Sequence, residues 1–146
     1  MYRSCNVFTI PPPIPYSKGD IVIDNQMCST PFDPAVWGEG VWLFLHLGSL
    51  TAPDVFSPLE AQKYWSFIEG LPYMMPCQIC ANHAKDYVDD ARADKDKICR
   101  TRESLLNFFL DFHNSVNLRT GKPPITMDQI KQLAQGPSRV SRVKYF

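Results

Sequence analysis

Apolar residues recur at helical spacing in four long segments and one short one, and polar or proline positions mark their ends. The first segment opens at Asp33-Pro34, an N-cap acid followed by proline at the first helical position. It carries Trp37, Trp42, Leu43, Leu45, His46 and Leu50 and stops before Pro53. The second opens at Ser57-Pro58-Leu59-Glu60, a capping box, carries Tyr64, Trp65, Phe67 and Ile68, and has Gly70 to close it. The third starts around Pro76-Cys77 and runs into a charged stretch from Asp86 to Lys97. The fourth begins near Thr101 or Arg102; Leu105, Phe109, Phe112 and Val116 form one stripe along it, and Gly121 ends it. The fifth is short, from the capping box Thr126-Met127-Asp128-Gln129 to Gly136-Pro137. There is no internal repeat and no alternating strand pattern. The expected class is all-α, a four-helix bundle plus a short fifth helix.

Residues 1–33 read differently. Pro11, Pro12, Pro13 and Pro15 impose extended backbone, and Ile21-Val22-Ile23 is a strand-like run with no partner in sight. The expected organisation is a Pro-rich arm over 1–33, a helical domain over 34–137 and a short basic tail over 138–146. Fifteen basic residues balance fifteen acidic ones, which argues against a nucleic-acid-binding surface. No apolar run approaches the ~20 residues of a membrane span, and the N-terminus lacks a charged-then-apolar leader. These features point to an intracellular chain. Five cysteines in that setting suggest redox or metal chemistry rather than a disulfide framework.

Two of the five, Cys77 and Cys80, stand two residues apart after Pro76. Proline suits the first turn of a helix, so the pair is expected there. Unpaired backbone N–H groups and the helix dipole at that end favour thiolate over thiol, and the thiolate is the nucleophile of disulfide exchange. Zinc sites use the same spacing, and Cys77, Cys80, His83 and Cys99 would supply four ligands of acceptable type. A thioredoxin-like fold needs a βαβ pattern ahead of the pair, and helices stand there instead.

Polar residues on two apolar helices bear on the choice. His113 and Asn117 share a face of the fourth helix, with Asn114 beside them; Trp42 and His46 share a face of the first. Asn is a poor helix-interior residue because its amide competes for backbone groups. Either these side chains satisfy one another or a loop carbonyl, or they hold a planar heteroaromatic cofactor. In the second case Arg119 or Lys122 would meet a phosphate.

Three runs carry a resemblance: Trp37-Gly38-Glu39-Gly40-Val41-Trp42-Leu43-Phe44-Leu45-His46, Pro76-Cys77-Gln78-Ile79-Cys80, and Phe112-His113-Asn114-Ser115-Val116-Asn117-Leu118-Arg119-Thr120-Gly121-Lys122-Pro123. In order and spacing they resemble the motifs of the Erv/ALR family of FAD-linked sulfhydryl oxidases, over about residues 35 to 125. The form is most like the versions carried by large cytoplasmic DNA viruses. The resemblance implies FAD at the mouth of the bundle, protein dithiols or a thiol relay protein as substrate, oxygen as acceptor, a homodimer, and a place in host-cell cytoplasm or virion. It implies Cys80 beside the flavin and Cys77 as the sulfur attacked from outside. It places Trp37, Gly38, Trp42, His46, His83, His113, Asn114, Val116, Asn117 and Lys122 around FAD. Cys5 and Cys28 on the arm become candidates for an electron relay to Cys77 or for a structural link. Three departures stand out. Glu39 replaces an arginine common in cellular members. Ser104 stands where a structural cysteine is expected, with no cysteine after Lys122. There is no second C-x-x-C.

Overall fold

The computed structural model describes residues 32–135. The arm with Cys5, Cys28 and Ile21-Val22-Ile23, the Gly136-Pro137 stop and the basic tail lie outside the described residues. Within them, six α-helices follow in order: α1 (Pro34–Leu50), α2 (Pro58–Met74), α3 (Gln78–Ala91), α4 (Lys95–Ile98), α5 (Arg102–Arg119) and α6 (Met127–Leu133). Four of these are the long helices expected from periodicity, and α6 is the short one. The single turn α4 and a 3-10 turn over Arg92–Asp94 were not expected. They arise within the charged stretch that the sequence pattern assigns to the third helix.

Local chemistry sets most boundaries. The Asp33 carboxylate accepts from the Ala35 N–H at 2.8 Å. Ser57 and Glu60 form a reciprocal capping box, as do Thr126 and Gln129. A third box, Thr101 with Ser104, starts α5. The Ser104 hydroxyl also donates to the Ile98 carbonyl at 2.9 Å, so Ser104 joins α4 to α5 by hydrogen bonds.

Two boundaries differ from expectation. α2 does not close at Gly70 but continues to Met74 with Pro72 in its last turn. Pro72 is buried and Leu71 packs on the core, and that burial offsets the lost backbone hydrogen bond. α3 begins at Gln78, because Cys77 adopts extended backbone (φ −99°, ψ 119°) and serves as the N-cap. Pro76 therefore precedes the cap instead of occupying the first helical position.

The core packs α2 against α3 and α1 against α5, with α6 laid on α1. Ile68 is fully buried, among Leu45, Trp65, Val88, Leu105 and Phe109. The α1–α2 connection is tied to the start of α5: the Phe56 N–H donates to the Arg100 carbonyl at 3.0 Å and the Arg102 N–H to the Asp54 carbonyl at 3.2 Å. No helix among the described residues is long and apolar enough to cross a membrane.

Truncating Ile68 to Ala should cost about 2–5 kcal/mol of unfolding free energy, the range for a buried large-to-small change. Urea denaturation of the two proteins checks it; a loss under 1 kcal/mol would contradict the assigned core.

Candidate active site

The site begins with three rings on two helices. Trp42 on α1 lies flat against His113 on α5, with centroids 4.1 Å apart and planes 3° from parallel. His46, one turn along from Trp42, meets the same imidazole: its Nε2 lies 2.9 Å from His113 Nδ1. His46 is 1% exposed and His113 2%. Both rings are held below the ordinary imidazole range, first by burial. For His113, the neighbouring His46 and the Lys122 ammonium add to the effect. The pair is therefore neutral at pH 7. His46 Nδ1 is buried and has no hydrogen-bond partner among the described residues.

Aromatic contacts carry this cluster to the cysteine helix. Phe112 meets Trp42 edge-on at 5.3 Å, and Tyr87 of α3 stacks on Phe112 at 4.6 Å. Cys80, Ala84 and Tyr87 lie at i, i+4 and i+7, so the inward face of α3 runs from the cysteine pair to this stack. Cys77 is 4% exposed and Cys80 half-buried. Cys80 is the third residue of α3, within the turn whose backbone N–H groups lack helical partners. His83 is half-buried, and its imidazole is held below the ordinary range by burial and then by Arg119, against the opposing pull of Asp86. α3 thus also faces the C-terminal end of α5.

The loop after α5 closes this corner. Gly121 has φ +70°, and the Lys122 N–H reaches back to the Asn117 carbonyl at 2.8 Å, the Schellman arrangement that needs a left-handed residue. Asn117 Nδ2 donates to the Pro123 carbonyl at 3.2 Å. Asn114 holds the Ile125 backbone from both sides: its Nδ2 donates to the carbonyl at 3.0 Å and its Oδ1 accepts from the N–H at 2.8 Å. Both amides are thus engaged by the loop, the first of the two roles open to them in the sequence. Val116 is half-buried against the core, and Lys122 is exposed. On α1, the Trp37 indole N–H donates to the Phe32 carbonyl at 3.1 Å. Gly38 lies one turn before Trp42, and a Cβ there would meet nothing within 4 Å.

A family model described as Erv1 / Alr matches residues 39–135. The chain belongs to the Erv1/Alr family. A protein of Invertebrate iridescent virus 3 named as an FAD-linked sulfhydryl oxidase is 36% identical over 105 residues, 72% of this chain and 70% of the relative. One of the same designation from Invertebrate iridescent virus 6 is 37% identical over 97 residues, 64% of this chain and 87% of the relative. The crystal structure of the yeast Erv1 core matches with a TM-score of 0.63 at 20% identity, over 80% of this chain and 95% of that one, and shows the shared fold.

The zinc alternative fails on geometry. Among the described residues no group of three or more His, Cys, Asp or Glu side chains is placed to hold a metal ion. Cys99 is instead buried in the hydrophobic core, its thiol pushed up to about 11 by burial and then by Asp96. The arrangement does fit a flavin dinucleotide. Trp42 and His113 give a flat wall, Lys122 gives a cation near it, and the orphaned His46 Nδ1 is a buried polar atom at that wall. Periodicity did not reveal Tyr87 and Phe112 as the link between wall and cysteines; the aromatic content of α3 and α5 was the available signal.

The buried imidazoles make this Erv1/Alr fold acid-sensitive. The unfolded chain binds protons at its histidines from the ordinary value of 6.5 downward, while the folded rings stay neutral. Unfolding free energy should therefore fall from pH 6.5 toward about 4, the value for His46, by on the order of a few kcal/mol. Urea midpoints across that window check it, and His113→Asn should flatten the slope.

Proposed function

We propose that this chain is an FAD-linked sulfhydryl oxidase that inserts disulfides into protein dithiols through a redox-active Cys77–Cys80 pair. The carrying observation is the placement of that pair at the head of a helix whose inward face is anchored by Tyr87 and Phe112 to the Trp42–His113 wall.

A substrate thiolate attacks Cys77 Sγ, breaking the Cys77–Cys80 bond and releasing Cys80 as thiolate. The second substrate thiolate then attacks the substrate sulfur of the mixed disulfide. Cys77 leaves as thiolate, the substrate departs oxidised, and the pair holds two electrons. The α3 N-terminus favours both departures, since the helix dipole stabilises sulfur anions there. FAD, when bound, would supply the outlet for this electron pair, with oxygen as the final acceptor and hydrogen peroxide as the product. Trp42 and His113 are the residues that would hold its ring system. Asn114 and Asn117 act by holding the loop that carries Lys122 in place. Cys80 shares a face of α3 with Ala84 and Tyr87, which supports its role beside the cofactor.

The same reading includes a homodimer. Val36, Phe44, Leu59 and Phe67 form exposed apolar stripes on α1 and α2, with Phe44 64% exposed and edge-to-face with Phe67. Beside them is a groove of about 380 Å³ floored by Leu45, Leu105 and Phe109. A two-fold axis over this face would seat each Phe44 against the partner's groove.

Purified protein should be yellow, should bleach with dithiothreitol under nitrogen, and should recover its flavin spectrum in air. Cys77→Ser and Cys80→Ser should each keep the colour and lose oxidation of a protein dithiol by on the order of a thousandfold. A protein that stays colourless when FAD is offered defeats the oxidase reading. For the dimer, Phe44→Glu should sediment as a monomer with an unchanged flavin spectrum; a monomeric wild type would refute it.

A further inference from the structure

We propose that Tyr87 is a positioning residue, a spacer ring that sets the separation of α3 from α5 and with it the reach of Cys80 toward a flavin at the Trp42–His113 wall. The flavin rests on the oxidase reading; the spacing rests on the geometry of the two helices.

α3 packs closely on α2, and α1 on α5. The α3 and α5 backbones are not closely packed, and aromatic side chains fill the space between them. Tyr87 stacks on Phe112 with centroids 4.6 Å apart and planes 18° from parallel, and it tilts against Phe108 at 5.6 Å. Phe108 and Phe112 are both buried, and Phe112 is braced from behind by the edge-on contact with Trp42. The α5 side of the stack is therefore fixed. The depth of one tyrosine ring decides how far away α3 stands.

The two helices run antiparallel across this space. Tyr87 meets Phe112, while His83, one turn earlier on α3, lies within electrostatic reach of Arg119, two turns later on α5. Cys80 precedes Tyr87 by seven residues, so it sits within about 20° of it around the α3 axis and about 10 Å along that axis. Its side chain therefore leaves α3 on the Tyr87 side, above the stack and toward the C-terminal end of α5. Tyr87 and Phe112 form the floor of this cleft, and Cys80 stands on its wall. A shorter side chain at 87 leaves a void that α3 can relax into, and a longer one pushes α3 outward. Either change moves Cys80 relative to the Trp42–His113 wall. Cys77 is the N-cap, outside the helix proper, so substrate attack there depends less on the cleft.

A spacer fails in both directions, which a residue that only adds stability does not. Tyr87→Phe keeps the ring and should match wild type in the bleaching of bound flavin by dithiothreitol under nitrogen. Tyr87→Leu and Tyr87→Trp should each slow the bleaching rate at saturating dithiothreitol by on the order of a hundredfold, the loss that follows a displacement of about 1 Å at reacting atoms. The half-saturating dithiothreitol concentration and the affinity for FAD should stay within about twofold of wild type, since the displacement acts after substrate attack. Wild-type bleaching rates in both variants would overturn the proposal. A loss in Tyr87→Phe as large as in Tyr87→Leu would also overturn it, by assigning the effect to the hydroxyl. Amide hydrogen exchange reads the spacer without a cofactor. In Tyr87→Leu the amides from Cys80 to Ala84 should exchange roughly tenfold faster or more, while those of α1 and α5 hold. Unchanged exchange in α3 refutes the role. A wild type that binds no FAD strikes the oxidase reading instead, and the exchange data still decide whether Tyr87 holds α3 in place.

Discussion

The contact on which this structure turns is the bond between His46 and His113 under the face of Trp42. Two imidazoles placed in a helical core must both give up water. Each can be held there only as a neutral ring with a partner, and here each is the other's partner. The bond joins α1 to α5 at one depth, and the flat Trp42 contact fixes their relative rotation. From α5 the order passes outward through Phe112 to Tyr87, so the position of α3 depends on a stack that starts at a polar bond. Few apolar side chains would set register as narrowly, because hydrophobic contacts tolerate sliding where a 2.9 Å bond between planar rings does not.

α3 is held differently along its length. Its middle is packed through Ala84 and Val88, both buried. Its outer face is charged: Lys85 pairs with Asp89, and Arg92 bridges Asp89 and Glu69 of α2. Pairs so exposed contribute little to stability. Its first turn has no side-chain cap, since Cys77 stands where Ser, Thr or Asp does elsewhere in this chain. A helix start left without an oxygen cap keeps its N–H groups for sulfur. The local cost to helix stability and the benefit to thiolate chemistry have the same origin.

Much of this was legible in the sequence because capping chemistry is local. Asp33-Pro34, Ser57 to Glu60 and Thr126 to Gln129 each specify a helix start within four residues, and each start stands where expected. The misplaced boundaries are those where tertiary burial overrode a local signal. Gly70 is a fair stop, but burying Leu71 and Pro72 carries α2 past it. Pro76 is a fair first residue, but the backbone of Cys77 is extended. In the site, motif order located Trp42, His46, His113 and the cysteines on their helices. Which imidazole meets which, and that Asn114 grips Ile125 and not a ligand edge, depend on helix rotation and loop closure. No periodicity encodes those.

The links at the two ends of α5 have a consequence for the chemistry. Thr101, Ser104 and Ile98 join by hydrogen bonds at its start, and Asn114 and Asn117 hold the segment after Gly121 by hydrogen bonds. These links are indifferent to thiol poise. Cys99, the other cysteine among the described residues, is buried with its thiol pushed to about 11, so almost none of it is thiolate at neutral pH. The proposed exchange pair, Cys77 and Cys80, is thereby left without competition from the Cys99 thiol. A catalyst that meets reduced proteins at every turnover keeps its scaffold out of the exchange it carries out.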